Sequence, residues 1–450
     1  MDAASRNDEN ESTNYNYDSV VEGMVYLHWL KIMMATARMP LRAAADGPDN
    51  PMQGRRLPRP RRLYSFDTRL NWNVFMEKFR NRAEFKRHIR MSAGSFIKLT
   101  NLIRHALEVD EDMANLRGGP IIPEICLYCC LRYLAGGSYS DIRFFTGIST
   151  ASLFRLVWKV VFAINDCDAL AIVFPTTPEE CEKAAQGFSS ISKEGWISNF
   201  VAVYGGDHLE IRTPPKKQVG NVRSFFSGHY QTHGVNVQAA CDHNCRFLFL
   251  GVAGPGVMGD RDAVKMVTLN RLIESLPPLF CAIGDCAYTP TEHLVPIYRG
   301  ADAQRPKYDN FNFFASQLRI RIEMAFGLMV KKWGLLSRPL SIKMSRVKHL
   351  MVAIARLHNF CIDERLVESS HSSTSRGTVV QFTPANVAFD QHMASLRDTA
   401  ADVEFREMEL AYENPWSNNR ERMVSIIESL QLTRPRSNII TSISGMEYHE

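Results

Sequence analysis

Three acidic residues stand where burial offers an acid nothing, and together they limit the fold more than any other feature. Asp207 closes the apolar, strand-like run 200–204, and Asp285 ends another at 279–283. Glu323 sits inside a long helical pattern running from about 312 to 333. The ends of neighbouring strands and one helix face can converge on a point. Three carboxylates meeting there repel one another, and their pKa values rise unless a cation sits between them. Hard divalent ions such as Mg²⁺ or Mn²⁺ take oxygen ligands, and two of them can clamp an in-line displacement at phosphorus.

The spacing turns this into a topology. Asp207 and Asp285 are 78 positions apart, and Glu323 follows 38 later. The first gap holds strands at 235–241 and 247–253, joined by a turn at Asp242, His243 and Asn244. A helix is predicted over 262–276, stopped by Pro277-Pro278. The order strand, strand, strand, helix, strand, helix is that of a ribonuclease H-like core. The expected fold class is α/β: a mixed sheet flanked by helices, preceded by a helical region containing a helix-turn-helix.

Local motifs extend the comparison. Tyr204-Gly205-Gly206-Asp207-His208-Leu209-Glu210-Ile211-Arg212 through Pro214 resembles the first-aspartate block of PIF/Harbinger transposases. Ser227-Gly228-His229-Tyr230 and Gly234-Val235-Asn236-Val237-Gln238 resemble their next strand, and Pro255-Gly256 with Gly259-Asp260 resembles their glycine-aspartate turn. Ile283-Gly284-Asp285-Cys286-Ala287-Tyr288 resembles the second-aspartate block. Phe311-Asn312, Arg319, Glu323, Ala325-Phe326-Gly327 and Trp333 resemble the glutamate helix. The resemblance spans roughly 95–365, with two departures: His208 stands where the family has Gly, and Cys286-Ala287-Tyr288 replaces a small-Gly-Tyr run.

The resemblance implies a DDE-type, metal-dependent nuclease or transposase acting on double-stranded DNA in the nucleus, working with a separate Myb-like DNA-binding protein. Asp207 and Asp285 would flank two divalent ions and Glu323 would complete one shell. The same site would hydrolyse a phosphodiester and then direct the freed 3′-hydroxyl to target DNA. Asp260 is a fourth metal-ligand candidate, with an N-cap of the following helix as its other reading. On the glutamate helix, Leu318, Ile322, Ala325, Met329 and Trp333 form an inward stripe, and Glu323 lies at its border. His208, Arg212, His229, Arg319, Lys331 and Lys332 are the cations expected along the DNA backbone. Arg319, four residues before Glu323, could instead pair with it. No nucleophile-elbow or phosphate-loop motif occurs in the sequence.

Four regions are expected. Residues 1–62 form a polar arm with one apolar helix at 20–39, too mixed for a membrane span or signal peptide, and a basic run Arg55 to Arg62 suited to nuclear import or phosphate contact. Residues 63–170 are helical; 138–145, a turn at Thr146-Gly147-Ile148 and a helix opened by Ser149 make a helix-turn-helix pattern. Within it Arg155 and Lys159 share a face that could meet DNA, while the competing reading is a packing domain alone. Residues 175–195 read as a polar bridge to the nuclease core at 196–365. Residues 366–450 hold a Ser-rich linker and an amphipathic segment at 420–432, a docking or homo-oligomer contact. Ten cysteines without a regular framework suit a reducing compartment. A domesticated, non-cleaving DNA- or chromatin-binding protein on a transposase scaffold is the main alternative; an enzyme acting on RNA is a third reading.

Overall fold

A computed structural model describes residues 69–80, 84–109, 120–192, 195–371 and 417–435. The basic arm and the apolar segment 20–39, like most of the Ser-rich linker, lie outside these residues. A mixed sheet organises the described chain. Its strands are β1 (Phe200–Glu210), β2 (Phe226–Ser227), β3 (Thr232–Cys241), β4 (Phe247–Pro255), β5 (Cys281–Gly284) and β6 (Leu294–Pro296). The order is β2-β3-β1-β5-β6, with β4 also on β3. β1, β3 and β4 pair antiparallel, while β1–β5 and β5–β6 are parallel. This is the α/β arrangement expected for a ribonuclease H-like core.

β1 is longer than its apolar run. Asp207 lies inside the strand, paired with Val237, rather than at its end. The reason is that β3 continues past it, so the backbone ladder persists through Gly205 and Gly206 to Glu210, which pairs with Gly234.

The helical region comprises α1 (Trp72–Arg80), α2 (Glu84–Ile89), α3 (Ala93–Leu107), α4 (Pro123–Leu134), α5 (Tyr139–Thr146) and α6 (Thr150–Asp166). Serine side chains cap three of them: Ser92 on α3, Ser138 on α5 and Ser149 on α6. Gly147 ends α5 in the left-handed conformation, and α5 and α6 meet at 103°. Among the described residues no single helix is long and apolar enough to cross a membrane. The helical region shares one apolar core with the sheet. Arg356 donates to the carbonyls of Ile164 and Cys167, tying α6 to α11 (Met344–His371).

The segment expected to be a polar bridge is instead a helix, α7 (Pro178–Ile191). Thr177 and Glu180 form a reciprocal capping box and Pro178 opens the first turn. Cys181, Ala185 and Phe188 recur at helical spacing and are buried. The predicted helix over 262–276 is broken into α8 (Asp260–Ala263), a tight turn at Val264–Met266 and α9 (Leu269–Glu274). Val267 is extended and lies over Gly251, and its β-branched side chain favours that break.

The glutamate helix, α10 (Pro306–Lys332), begins six residues before its apolar pattern, because Pro306 is preset for a first helical turn. Two buried asparagines fix the long helices by imitating backbone. Asn312 on α10 accepts from the Tyr298 N–H and donates to its carbonyl, both at 2.8 Å. Asn359 on α11 does the same to Phe247, both at 2.7 Å. Finally α12 (Ser417–Ser429) docks on α10 of its own chain. Its Glu421 accepts from Tyr308 at 2.7 Å and Tyr298 at 3.1 Å.

Candidate active site

Strand alternation sorts the acids by face. Val203 and Leu209 join the core that contains α10, and a Cβ on Gly205 would come within 3.3 Å of Ile322 on that helix. Asp207 shares their parity, so it lies on the α10 face. Ile283 pairs with Val203, which gives Asp285 the same parity just beyond the end of β5. Glu323 follows Ile322 at the solvent border of α10, with its side chain 42% exposed. All five residues of the predicted inward stripe are buried. The fold therefore brings Asp207, Asp285 and Glu323 to one edge of the sheet. Asp207 Oδ1 accepts from the His208 N–H at 2.9 Å and Asp285 Oδ1 from the Cys286 N–H at 2.6 Å.

Asp260 comes to the opposite face. A Cβ on Gly206 would overlap Asp260 Oδ1 and the Gln238 amide, so only glycine leaves room for that acid. Asp260 is the first residue of α8, not its cap: Oδ1 accepts from Asn236 at 2.8 Å and Gln238 at 2.9 Å. Gln238 in turn accepts from the Tyr288 hydroxyl at 2.8 Å. Asn236, Gln238 and Tyr288 form the hydrogen-bond network around Asp260, and the sequence reading assigned them no role. Two amides alternating with Val235, Val237 and Ala239 were the available signal: polar groups on one face of a buried strand need partners.

The acids feel one another across the sheet edge. Burial pushes the Asp260 carboxyl up, the two amides pull it back, and Asp285 and Asp207 push it further, leaving it above its ordinary value. The Tyr230 hydroxyl is likewise raised, by its surroundings first and then by Asp207, Asp260 and Asp285. This excess of negative charge around oxygen donors fits a hard divalent cation in donor chemistry. Among the described residues, however, no group of three or more His, Cys, Asp or Glu side chains is already arranged to hold a metal.

Arg319 accounts for part of that arrangement. It is buried, and its Nη1 lies 2.7 Å from Glu323 Oε1. Burial opposes its charge, yet Glu323 and Asp285 hold its pKa above the ordinary arginine value. This is the pairing role among the two weighed for Arg319, since a buried guanidinium is not displayed to a DNA backbone. Arg212 and Lys331 are exposed. Lys332 lies beside Cys361. Arg155 and Lys159 are exposed on α6, and Lys159 Nζ donates to the Glu108 carbonyl at 3.0 Å. All ten cysteines are buried free thiols.

The raised Asp260 pKa makes a pH prediction. A carboxyl raised in the fold contributes stability below its unfolded value of 3.8, and that contribution is lost as pH rises through the raised folded value. Asn at this position keeps an acceptor for both amides and removes the charge. In metal-free buffer, the melting temperature of Asp260→Asn minus that of the wild type should rise with pH above about 4. A difference that stays flat with pH would mean that Asp260 is not strained by its neighbours.

No curated protein and no solved structure matches the chain. A family match does exist, and it begins at Tyr204 on β1 and ends at Asn359 on α11, so it covers all four acids and leaves the helical region and α12 outside. Residues 204–359 match the family model of the DDE superfamily endonucleases, and the similarity points to nuclease or transposase chemistry.

Proposed function

We propose that this chain is a metal-dependent DNA endonuclease or transposase of the PIF/Harbinger kind. The observation that carries the reading is the shared face of Asp207 on β1 and Asp285 just past the parallel β5, with Glu323 at the solvent border of α10, where its partner Arg319 also feels Asp285. These three residues would hold one or two divalent ions. When bound, such ions supply Lewis acidity for the attacking hydroxyl and neutralise charge at phosphorus. The chain's own groups do the rest. The backbone N–H groups of His208 and Cys286 orient the two aspartates. Arg319 holds Glu323. Exposed Arg212 and Lys331 are suited to phosphate contacts. Asp260 sits with its amide partners behind the sheet, where it supports the strand carrying Asp207.

A second reading has one specific observation in its favour. Glu323 is paired with Arg319, and no three-ligand group is preformed among the described residues. A domesticated DNA- or chromatin-binding protein would look like this too. Nicking of supercoiled plasmid by the full chain with Mg²⁺, and its loss in EDTA, separates the two. Tight binding without nicking favours the second reading.

The α5–α6 pair is proposed as a DNA-contact module, supported by its 103° angle and exposed Arg155. Arg155→Ala with Lys159→Ala is expected to weaken duplex binding and flatten its salt dependence. Unchanged titrations would return these helices to packing. Nuclear location, a Myb-like partner and self-association belong to the same proposal: the partner rests on the resemblance alone, nuclear location also on the basic run Arg55 to Arg62, and self-association on the amphipathic segment 420–432.

A further inference from the structure

Between β1 and β3 the chain makes a long excursion, 211–231, that contains no acidic residue. It carries Arg212, Lys216, Lys217 and Arg223, all exposed, and two aromatic rings that water also reaches, Phe226 and Tyr230. Cations followed by exposed rings on one loop can track a phosphate backbone and accept bases at the same time. The loop is also built in place. β2 pairs with the start of β3, Ile211 bridges to Leu340, and the Met344 N–H donates to Gln218 at 2.9 Å.

Tyr230 occupies a particular place on it. One ring face stacks on His208, with centroids 4.6 Å apart and planes 15° from parallel. His208 neighbours Asp207 on β1 but points to the opposite face of the strand. The Tyr230 hydroxyl nevertheless feels Asp207 first among the acids, then Asp260 and Asp285, which puts it within electrostatic reach of the carboxylate edge. His229 meets the same ring edge-on at 4.7 Å and 88°. The residue nonetheless remains 46% exposed. Its backbone is held as well: the Tyr230 N–H donates to Ser227 Oγ, and Gln231 takes the left-handed conformation at φ 55°. A ring fixed before it meets its ligand loses little freedom on binding.

We propose that Tyr230 is a stacking platform for an unpaired DNA base next to the scissile phosphate, with Lys216, Lys217 and Arg223 on the flanking phosphates. This rests on the reading of Asp207 and Asp285 as the cleavage site, and it deepens that reading. The substrate at the moment of reaction is a locally opened strand, not an intact duplex.

The test uses the full chain, a single-stranded oligonucleotide carrying one 2-aminopurine, and the same strand with that base removed. The wild type is expected to quench 2-aminopurine and to bind the intact strand roughly tenfold more tightly than the abasic one. Tyr230→Phe should keep both effects, since the stack needs the ring and not the hydroxyl. Tyr230→Ala should lose both and retain only the salt-dependent binding that abasic strands also show. Quenching and preference at wild-type level in Tyr230→Ala would overturn the proposal. Plasmid nicking measured alongside keeps the two readings apart. Nicking with no Tyr230 effect removes the platform and leaves the nuclease; a Tyr230-dependent preference without nicking removes the nuclease and leaves the platform.

Discussion

Asp285→Asn should reduce Mg²⁺-dependent nicking by more than about a hundredfold while leaving the protein folded. Loss of a group that merely supports a metal ligand typically costs 10–100-fold, and Asp285 is proposed as a ligand itself. Asparagine is nearly the same shape, and its Oδ1 can still accept the Cys286 N–H that Asp285 accepts at 2.6 Å. What disappears is charge. That charge is one of the two that push the Asp260 carboxyl up, and it also helps keep buried Arg319 charged, so its removal relieves a repulsion and gives up an attraction. The expected signature is therefore activity lost with the melting temperature little changed, unlike a packing defect. Asp207→Asn should behave alike, because its Oδ1 also accepts a neighbouring backbone N–H. Calorimetric titration of Mn²⁺ should show binding to the wild type that is lost in either variant. Nicking by Asp285→Asn at the wild-type rate would end the catalytic assignment.

The acids were legible because each broke a local pattern. A carboxylate after a strand-like run, or beside an apolar helical stripe, stands out against its neighbours, and the succession of strands and helices along the chain followed from the spacing. Faces were harder. Asp260 follows a glycine on a turn, and its position gives no hint that it lies behind the sheet; that depends on Gly206 lacking a side chain opposite it. Arg319 had two readings of equal standing from the sequence, since four-residue spacing permits pairing and display alike. Burial, a property of the packed molecule, distinguishes them. The missed helix α7 was a different failure. Its polar composition resembled a linker, while Thr177-Pro178-Glu179-Glu180 already carried the start signal of a helix. Short β6 was invisible because three residues carry no periodicity.

Asn312→Ala tests how the fold holds the glutamate in place. The side chain is fully buried and satisfies both the N–H and the carbonyl of Tyr298. Truncation leaves both backbone groups without partners, at about 1–3 kcal/mol each. Allowing for some relaxation, the expected loss is about 2–4 kcal/mol, read as a lower denaturation midpoint at constant slope. Asn359→Ala is the matched comparison. It deletes the same pair of bonds, to Phe247, and should cost a similar amount. The two differ in what they anchor. Asn312 lies on the helix that carries Glu323, and Tyr298 also stacks on Tyr308 at 4.0 Å, beside the α12 contact. Asn359 fixes α11 to β4 through Phe247, whose ring meets Phe326 on α10 at 5.7 Å, but it leaves the Tyr298–Asn312 anchor of that helix intact. Nicking per folded molecule should consequently fall in Asn312→Ala and persist in Asn359→Ala. Equal losses in both would show that activity tracks overall stability, and that the register of α10 is not what sets the third carboxylate.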